Sequence, residues 1–300
     1  MSDPRNHHYV PQAYLLGFAD AKHQVCVRWR MKDDDAFITH VRNVAAERDF
    51  YTFVNDKTGQ VDYQSFESGL NVGEIMLREA LNEYLHGGDT PRETLKLRIA
   101  VGVGFQMTRT KYFRRKLERM TDDAARTWIS SQRPELSEAM NSVHIRPGSD
   151  VHLKWIRDWA AILAGALLDR SWFVARPIAG QFITSDNPVY GIAGRTDALD
   201  VGVLAATEIR YPVDSATALV WTPAPGHDAA IFFTEREIRD FNVATFANAY
   251  EQAYARPDYQ AELDGLRRHP DTLIDRINAM STGPAFRKAG TRRFDAGRGG

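Results

Sequence analysis

Residues 93–119 restrict the fold more than any other segment. Leu95, Ile99, Gly102, Gln106, Arg109 and Phe113 recur at helical spacing. Val101, Val103, Phe105 and Met107 surround that stripe, so the middle is apolar nearly all round. A helix without a polar face belongs in the interior. The spacing therefore predicts one central helix over 93–119, flanked by helices at 62–86 and 150–170. Thr90-Pro91-Arg92-Glu93 reads as its start, with Thr90 as N-cap and Glu93 completing a capping box. Gly102 and Gly104 each cost about 1 kcal/mol relative to alanine in a helix, which points to close approach of another element. Gln106 and Arg109 fall on the buried stripe. An arginine there must be paired or face a polar cavity. It is either a structural ion pair or an anion-facing group at the floor of a pocket.

Around this helix the pattern is mixed. Residues 24–30 alternate apolar and polar, Asp33, Asp34 and Asp35 make a turn, and 37–41 return, which predicts an N-terminal β-hairpin. A third short strand is expected at 50–54. Further helices are expected at 122–131 and 134–141. Short strands separated by Pro, Gly and Asp follow at 171–176, 181–184, 208–213, 217–222 and 229–233. Thr234 and Glu237 make a second capping box, opening a helix expected to reach about residue 255. Shorter helices are read at 259–268 and 271–280. The expected class is α+β: helix-rich, with a central buried helix, a small N-terminal hairpin and a mainly antiparallel sheet from 171–233. Residues 1–282 are expected to form one domain, and the Gly- and Arg-rich stretch 283–300 a disordered basic tail.

The chain has 300 residues, with 38 Lys and Arg against 39 Asp and Glu. That balance implies neither a nucleic-acid coat nor a membrane surface, although a local basic patch can still exist. The longest apolar run, 159–168, is too short to span a bilayer. The single cysteine, Cys26, allows no internal disulfide. The N-terminus lacks the basic start and apolar run of a signal peptide. The expectation is a cytoplasmic protein without membrane contact.

Other polar residues stand where polarity is expensive. On the helix at 62–86, Glu67, Asn71, Glu74 and Arg78 line up beside the apolar stripe, with Glu67 and Glu74 two turns apart. Paired carboxylates can hold a divalent metal or act as acid and base; equally, they can form a solvated face with ion pairs such as Glu74–Arg78. Asp186 and Asn187 end a predicted strand, where Asx residues make turns and where sites also gather. Asn242 shares the inward stripe of the helix after Thr234 and either caps another backbone or reaches a site. His7 and His8 stand in an N-terminal segment whose Tyr9, Val10, Tyr14, Leu15 and Phe18 are too apolar for a free tail. Adjacent side chains in an extended segment point opposite ways, so at most one of the two histidines faces any one site.

The run His7-His8-Tyr9-Val10-Pro11-Gln12, followed by Tyr14-Leu15 and Phe18-Ala19, resembles bacterial proteins grouped as domain of unknown function 4238. The resemblance continues through Asn43-Val44-Ala45, Asp49-Phe50-Tyr51, Glu67, Glu74 and Gln106-Met107-Thr108-Arg109. It then runs through Thr184-Ser185-Asp186-Asn187-Pro188-Val189 to Asn242 and Asn248-Ala249. Two places depart from the family's pattern: Ala13, where a bulkier residue is common, and Tyr211-Pro212-Val213-Asp214, a loose version of Pro-Leu-Ser/Thr-Pro. The resemblance implies a shared site without naming a reaction.

Two functions fit these residues. The first is a nuclease-like hydrolase of phosphodiesters. His7 or His8, Glu67, Glu74, Arg109 and Asp186 would be catalytic, with a divalent metal as an optional cofactor. Lys111-Tyr112-Phe113-Arg114-Arg115-Lys116 and the basic residues of 287–298 would steer nucleic acid. The second is a non-catalytic protein that uses Arg109 and Gln106 to hold a small anionic ligand in a polar pocket; Gln106, Asn187 and Asn242 are the candidate substrate-binding residues. The expected geometry brings Arg109, Gln106, Glu67 or Glu74, one histidine and Asp186 or Asn187 to one cavity.

Overall fold

The computed structural model describes residues 5–32, 34–54, 59, 61–62, 65–136, 138–192, 204, 206–223 and 228–266. The regular elements, in chain order, are β1 (Asn6–His8), α1 (Gln12–Leu15), β2 (Gln24–Trp29), β3 (Phe37–His40), β4 (Ala46–Arg48), β5 (Phe53–Val54), β6 (Val61–Asp62), α2 (Ser65–His86), α3 (Arg92–Thr108), α4 (Lys111–Gln132), α5 (Ser149–Leu168), β7 (Ser171–Pro177), β8 (Thr184–Ser185), β9 (Tyr190–Ile192), β10 (Glu208–Asp214), β11 (Thr217–Thr222), β12 (Ala229–Phe233), α6 (Glu235–Asn248), β13 (Gln252–Ala255) and α7 (Gln260–Gly265). The class is α+β. Within the described residues no helix is long and apolar enough to cross a membrane. The expected tail at 283–300 and helix at 271–280 lie outside the described residues.

Five strands form a sheet in the order β12-β7-β11-β10-β9, antiparallel except for the β12–β7 pair. The two-residue period of the strands divides their side chains between two cores. Trp172, Ile209, Tyr211, Leu219 and Trp221 face α2, α3 and α5. Ala175, Ala218 and Val220 pack with Ile238 and Phe241 of α6. The predicted hairpin β2–β3 exists, but it is half of a four-stranded sheet, β3-β2-β13-β8. β13 comes to it from the far end of the described residues, and β8, Thr184–Ser185, joins it in place of the five-stranded sheet. The strand expected at 50–54 is only Phe53–Val54.

The central helix is present and lies against α2 and α5. Val103 is fully buried, but Leu97 and Val101 are exposed, so one edge of α3 meets solvent. Both glycines are contact points. A Cβ on Gly102 would stand 2.7 Å from the Cβ of Leu77, and one on Gly104 would stand 2.4 Å from the carbonyl oxygen of Ala160. A backbone carbonyl cannot rotate aside, so Gly104→Ala must push α3 and α5 apart. Overpacking outweighs the helix-propensity gain, and the expected net loss is roughly 2 kcal/mol. Chemical denaturation checks it, and an unchanged midpoint would mean that the two helices separate freely.

Three local expectations change. Residues 93–119 are two helices. Thr110 is extended and its hydroxyl accepts from Phe113 N at 3.2 Å, a new N-cap that starts α4. The Thr90 capping box does not form; Pro91 holds the N-cap position without a side-chain cap. The box at Thr234 and Glu237 does form. Residues 134–141 make 3-10 turns in place of a helix, at Pro134–Leu136 and Ala139–Ser142.

The N-terminal segment is docked. β1 pairs with β4, and Val10, Leu15 and Phe18 are fully buried. Tyr9 packs on Phe50, which also packs edge-on against His152 of α5. Burial, with Arg114 nearby, pushes the His152 imidazole down to about 3. The folded protein therefore keeps His152 neutral where the unfolded chain, at 6.5, takes up a proton. That contribution to stability is complete above pH 6.5 and is lost as pH falls towards 3. Relative to His152→Leu, the wild type should lose about 1.4 kcal/mol per pH unit within this window. Denaturation curves at stepped pH check it; a constant gap between the two proteins would refute it.

Candidate functional site

Arg109 closes α3 as its C-cap and turns its side chain inward, where it is 2% exposed. The guanidinium ion-pairs with the Glu74 carboxylate of α2. It also donates to the backbone carbonyl of His8 at 2.7 Å and to the Tyr51 hydroxyl at 3.3 Å. Tyr51 in turn donates to the carbonyl of Arg109 at 2.9 Å. Burial works against the charge, but Tyr51 and Glu74 outweigh it, and Arg109 titrates above its usual range. One cation thereby ties α2, α3 and the N-terminal segment together.

Beside this cluster lies a cavity of about 240 Å³. Leu70, Gly73, Glu74, Leu77, Leu81 and Leu85 line it from α2, a spacing of three and four that puts one helix face along the space. Phe105, Gln106 and Arg109 come from the end of α3, Pro11, Ala13, Tyr14 and Gly17 from the N-terminal segment, and Tyr211, Val213 and Asp214 from β10. The exposed Arg78, Asn82 and His86 follow at the outer margin. Gln106 is 3% exposed, and its side-chain nitrogen has no hydrogen-bond partner within the described residues. A buried amide without a partner costs roughly 1–3 kcal/mol.

Tyr14 and Tyr211 stack at 5.5 Å between centroids. The Tyr14 hydroxyl donates to the carbonyl of Pro212 and also contacts the Thr184 hydroxyl, both at 2.6 Å. Burial, then the charges of Glu74 and Asp214, keep the Tyr211 phenol protonated far above its normal range.

Of the residues expected at one site, Arg109, Glu74 and Gln106 line this cavity. The Glu67 side chain lies outside the described residues. Neither histidine side chain is part of the lining. His7 is buried, stacks on Tyr51 and accepts at Nδ1 from Tyr51 N at 2.9 Å. The half-buried His8 places Nε2 3.3 Å from the carbonyl of Arg42, and only its backbone reaches Arg109. Burial lowers its imidazole below the usual value.

Asp186, Asn187 and Asn242 are not at the cavity and serve backbone groups elsewhere. Asp186, fully buried, accepts from the N–H groups of Tyr250, Glu251 and Gln252 at 2.7, 2.7 and 3.0 Å. Burial pushes its carboxyl up to about 7 against the pull of these donors. This contact corrects the helix expected to run to residue 255. The chain leaves α6 at Ala249 and is drawn into β13. Asn187 donates to the carbonyl of Asn248 at 3.0 Å. Asn242 accepts from Ile183 N and donates to the carbonyl of Gln181, which matches the capping alternative.

Gly17, Gly73, Asn82 and His86 line the cavity without having been named in the sequence, and Tyr14, Tyr211 and Asp214 were named there but not as site residues. Gly73 had a signal: a glycine inside a strongly periodic helix costs about 1 kcal/mol relative to alanine, and no neighbour within 4 Å of a Cβ there demands it. No group of three or more His, Cys, Asp or Glu side chains that could hold a metal exists among the described residues.

The whole region from the docked N-terminus to the turn before α7 matches one family model, described as "Protein of unknown function (DUF4238)", over residues 6–259. The chain belongs to this family. No curated protein and no solved structure matches the chain. The DUF4238 match spans every segment that meets at the cavity, so the cavity lies within the family unit.

Proposed function

We propose that this DUF4238 protein binds a small, largely apolar molecule in the cavity between α2, the end of α3 and β10. The observation that carries the reading is a 240 Å³ space with a mostly apolar wall of leucines, tyrosines, Phe105 and Val213, beside which Glu74, Gln106 and Arg109 place a few polar groups. A few polar groups in a mostly apolar concavity are typical of ligand sites. An apolar cavity of about 150 Å³ holds benzene, so by proportion this one takes about ten non-hydrogen atoms. Both places that depart from the family's usual pattern supply wall residues: Ala13, and Tyr211, Val213 and Asp214.

The phosphodiester-hydrolase reading has less support. Arg109 is already engaged by Glu74, Tyr51 and His8. In the basic cluster, Lys111 pairs with Glu47 and Glu251, while Arg114 and Arg115 pair with Glu118. That leaves little free charge on this face for a polyanion.

Gly73→Phe tests the proposal. An ideal Cβ on Gly73 meets nothing within 4 Å, so a ring can fill the space. Replacing a helical glycine adds about 0.5 kcal/mol of helix propensity, so the variant should fold at least as well as the wild type. Ligand-observed NMR with neutral compounds of about ten non-hydrogen atoms should detect saturable binding to the wild type and none to Gly73→Phe. Equal binding to both would reject the cavity as the site.

A further inference from the structure

We infer a second binding site: an open groove of about 450 Å³ between the end of α2, the start of α3 and strands β7 and β12, which takes a phosphate monoester with an apolar body. It is separate from the cavity described above, with which it shares only Leu85 among the lining residues.

Charge selects the class of ligand. Arg92 and Arg176 both line the groove. Arg92 is held in place by Tyr84: its guanidinium carbon lies 4.3 Å from the ring centroid, and Nη2 donates to the hydroxyl at 2.8 Å. The half-buried Arg176 side chain has no ion-pair or hydrogen-bond partner among the described residues. One carboxylate, Asp228, also lines the groove, but it is already committed. It accepts from Trp172 N at 3.0 Å and lies 2.6 Å from the Lys96 ammonium and 3.7 Å from Arg92 Nε. Glu93 reaches Lys96 at 3.5 Å, but its side chain is 83% exposed and water screens it. With Asp228 balanced by Lys96, the Arg92 and Arg176 charges remain for a ligand. A phosphate monoester carries nearly two negative charges above neutral pH, and its terminal oxygens match the forked donors of guanidinium groups. A carboxylate balances only one of these cations.

The apolar body follows from the walls. Leu85 and Val174 line the groove. Phe232 stands opposite Arg176 in the β12–β7 pair, so both side chains share one face of the sheet, and Phe232 is 64% exposed. An exposed ring next to an unpaired guanidinium receives both halves of such a ligand, the body on Phe232 and the phosphate on Arg176.

The test titrates phenyl phosphate, inorganic phosphate and benzoate calorimetrically into the full chain at about pH 8, where the phosphates are dianions. Phenyl phosphate should bind saturably and at least about tenfold more tightly than either of the others. Arg176→Gln should weaken it about tenfold or more, the worth of one charged hydrogen bond. The melting temperature of the free protein should not change, because no partner within the fold is lost. Phe232→Ala should weaken phenyl phosphate and leave inorganic phosphate unchanged. Gly73→Phe, which fills the other cavity, should leave phenyl phosphate binding as it is. Absence of phenyl phosphate binding, or an unchanged affinity in Arg176→Gln, would overturn the site. Benzoate binding as tightly as phenyl phosphate would overturn the dianionic class, and an unchanged affinity in Phe232→Ala would overturn the place of the body. Loss of binding in Gly73→Phe would assign the ligand to the first cavity and remove the second site.

Discussion

Glu74→Leu should destabilise the protein by roughly 3–5 kcal/mol, the usual consequence of removing one partner from a buried ion pair. The Arg109 side chain is 3% exposed and that of Glu74 20%, so solvent can replace little of the lost carboxylate. The His8 carbonyl and the Tyr51 hydroxyl remain as acceptors, but neither carries charge. Glu74→Gln should fall between the wild type and Glu74→Leu, since its amide oxygen still accepts from the guanidinium. Replacing both partners by apolar residues should cost less than the sum of the single changes, because the stranded charge disappears. Urea denaturation of the wild type, Glu74→Leu, Arg109→Leu and the double variant measures this coupling. A Glu74→Leu protein that melts like the wild type would show that the ion pair does not hold α2 and α3 together. Loss of ligand binding at full stability in Glu74→Gln would move that carboxylate from scaffold to site.

Asp186→Ala is expected to cost on the order of 4 kcal/mol, at the severe end for a single substitution. Three backbone N–H groups, at Tyr250, Glu251 and Gln252, lose their acceptor at once in a place that water does not reach. These donors set the turn that frees the chain from α6 and aligns β13 between β2 and β8. The loss should therefore appear in the four-stranded sheet first. Amide hydrogen exchange should accelerate at Tyr254 and Val27, which face each other across β13 and β2, ahead of the α3 amides. Asn187→Ala removes one backbone contact only and should be milder, about 1 kcal/mol. Equal exchange protection in Asp186→Ala and the wild type would mean that strand pairing alone fixes β13.

Some of this was legible along the chain because it follows from local period and local chemistry. The apolar middle of α3 required burial. Gly102 and Gly104 required close neighbours. Thr234 and Glu237 required a helix start, and Tyr9 to Phe18 required a docking surface. Each needs only residues within a few positions of one another. The same reasoning established that Arg109 had to meet a carboxylate or a polar space.

It could not choose the carboxylate, because period shows that a polar side chain points inward and not what stands opposite. Folding chose Glu74, 35 residues away, and sent Asp186 and Asn242 to backbone groups about 60 residues distant. Helical spacing likewise runs unbroken through Arg109 and Thr110, so period did not show the break that the extended, capping Thr110 makes between α3 and α4. Residues 252–255 carry on a helical pattern, yet pairing with β2 and β8 makes them a strand. The cavity exists only where α2, the N-terminal segment and β10 meet without filling the space between them. Its shape is a property of three surfaces held apart by their neighbours, and no single stretch of sequence encodes it.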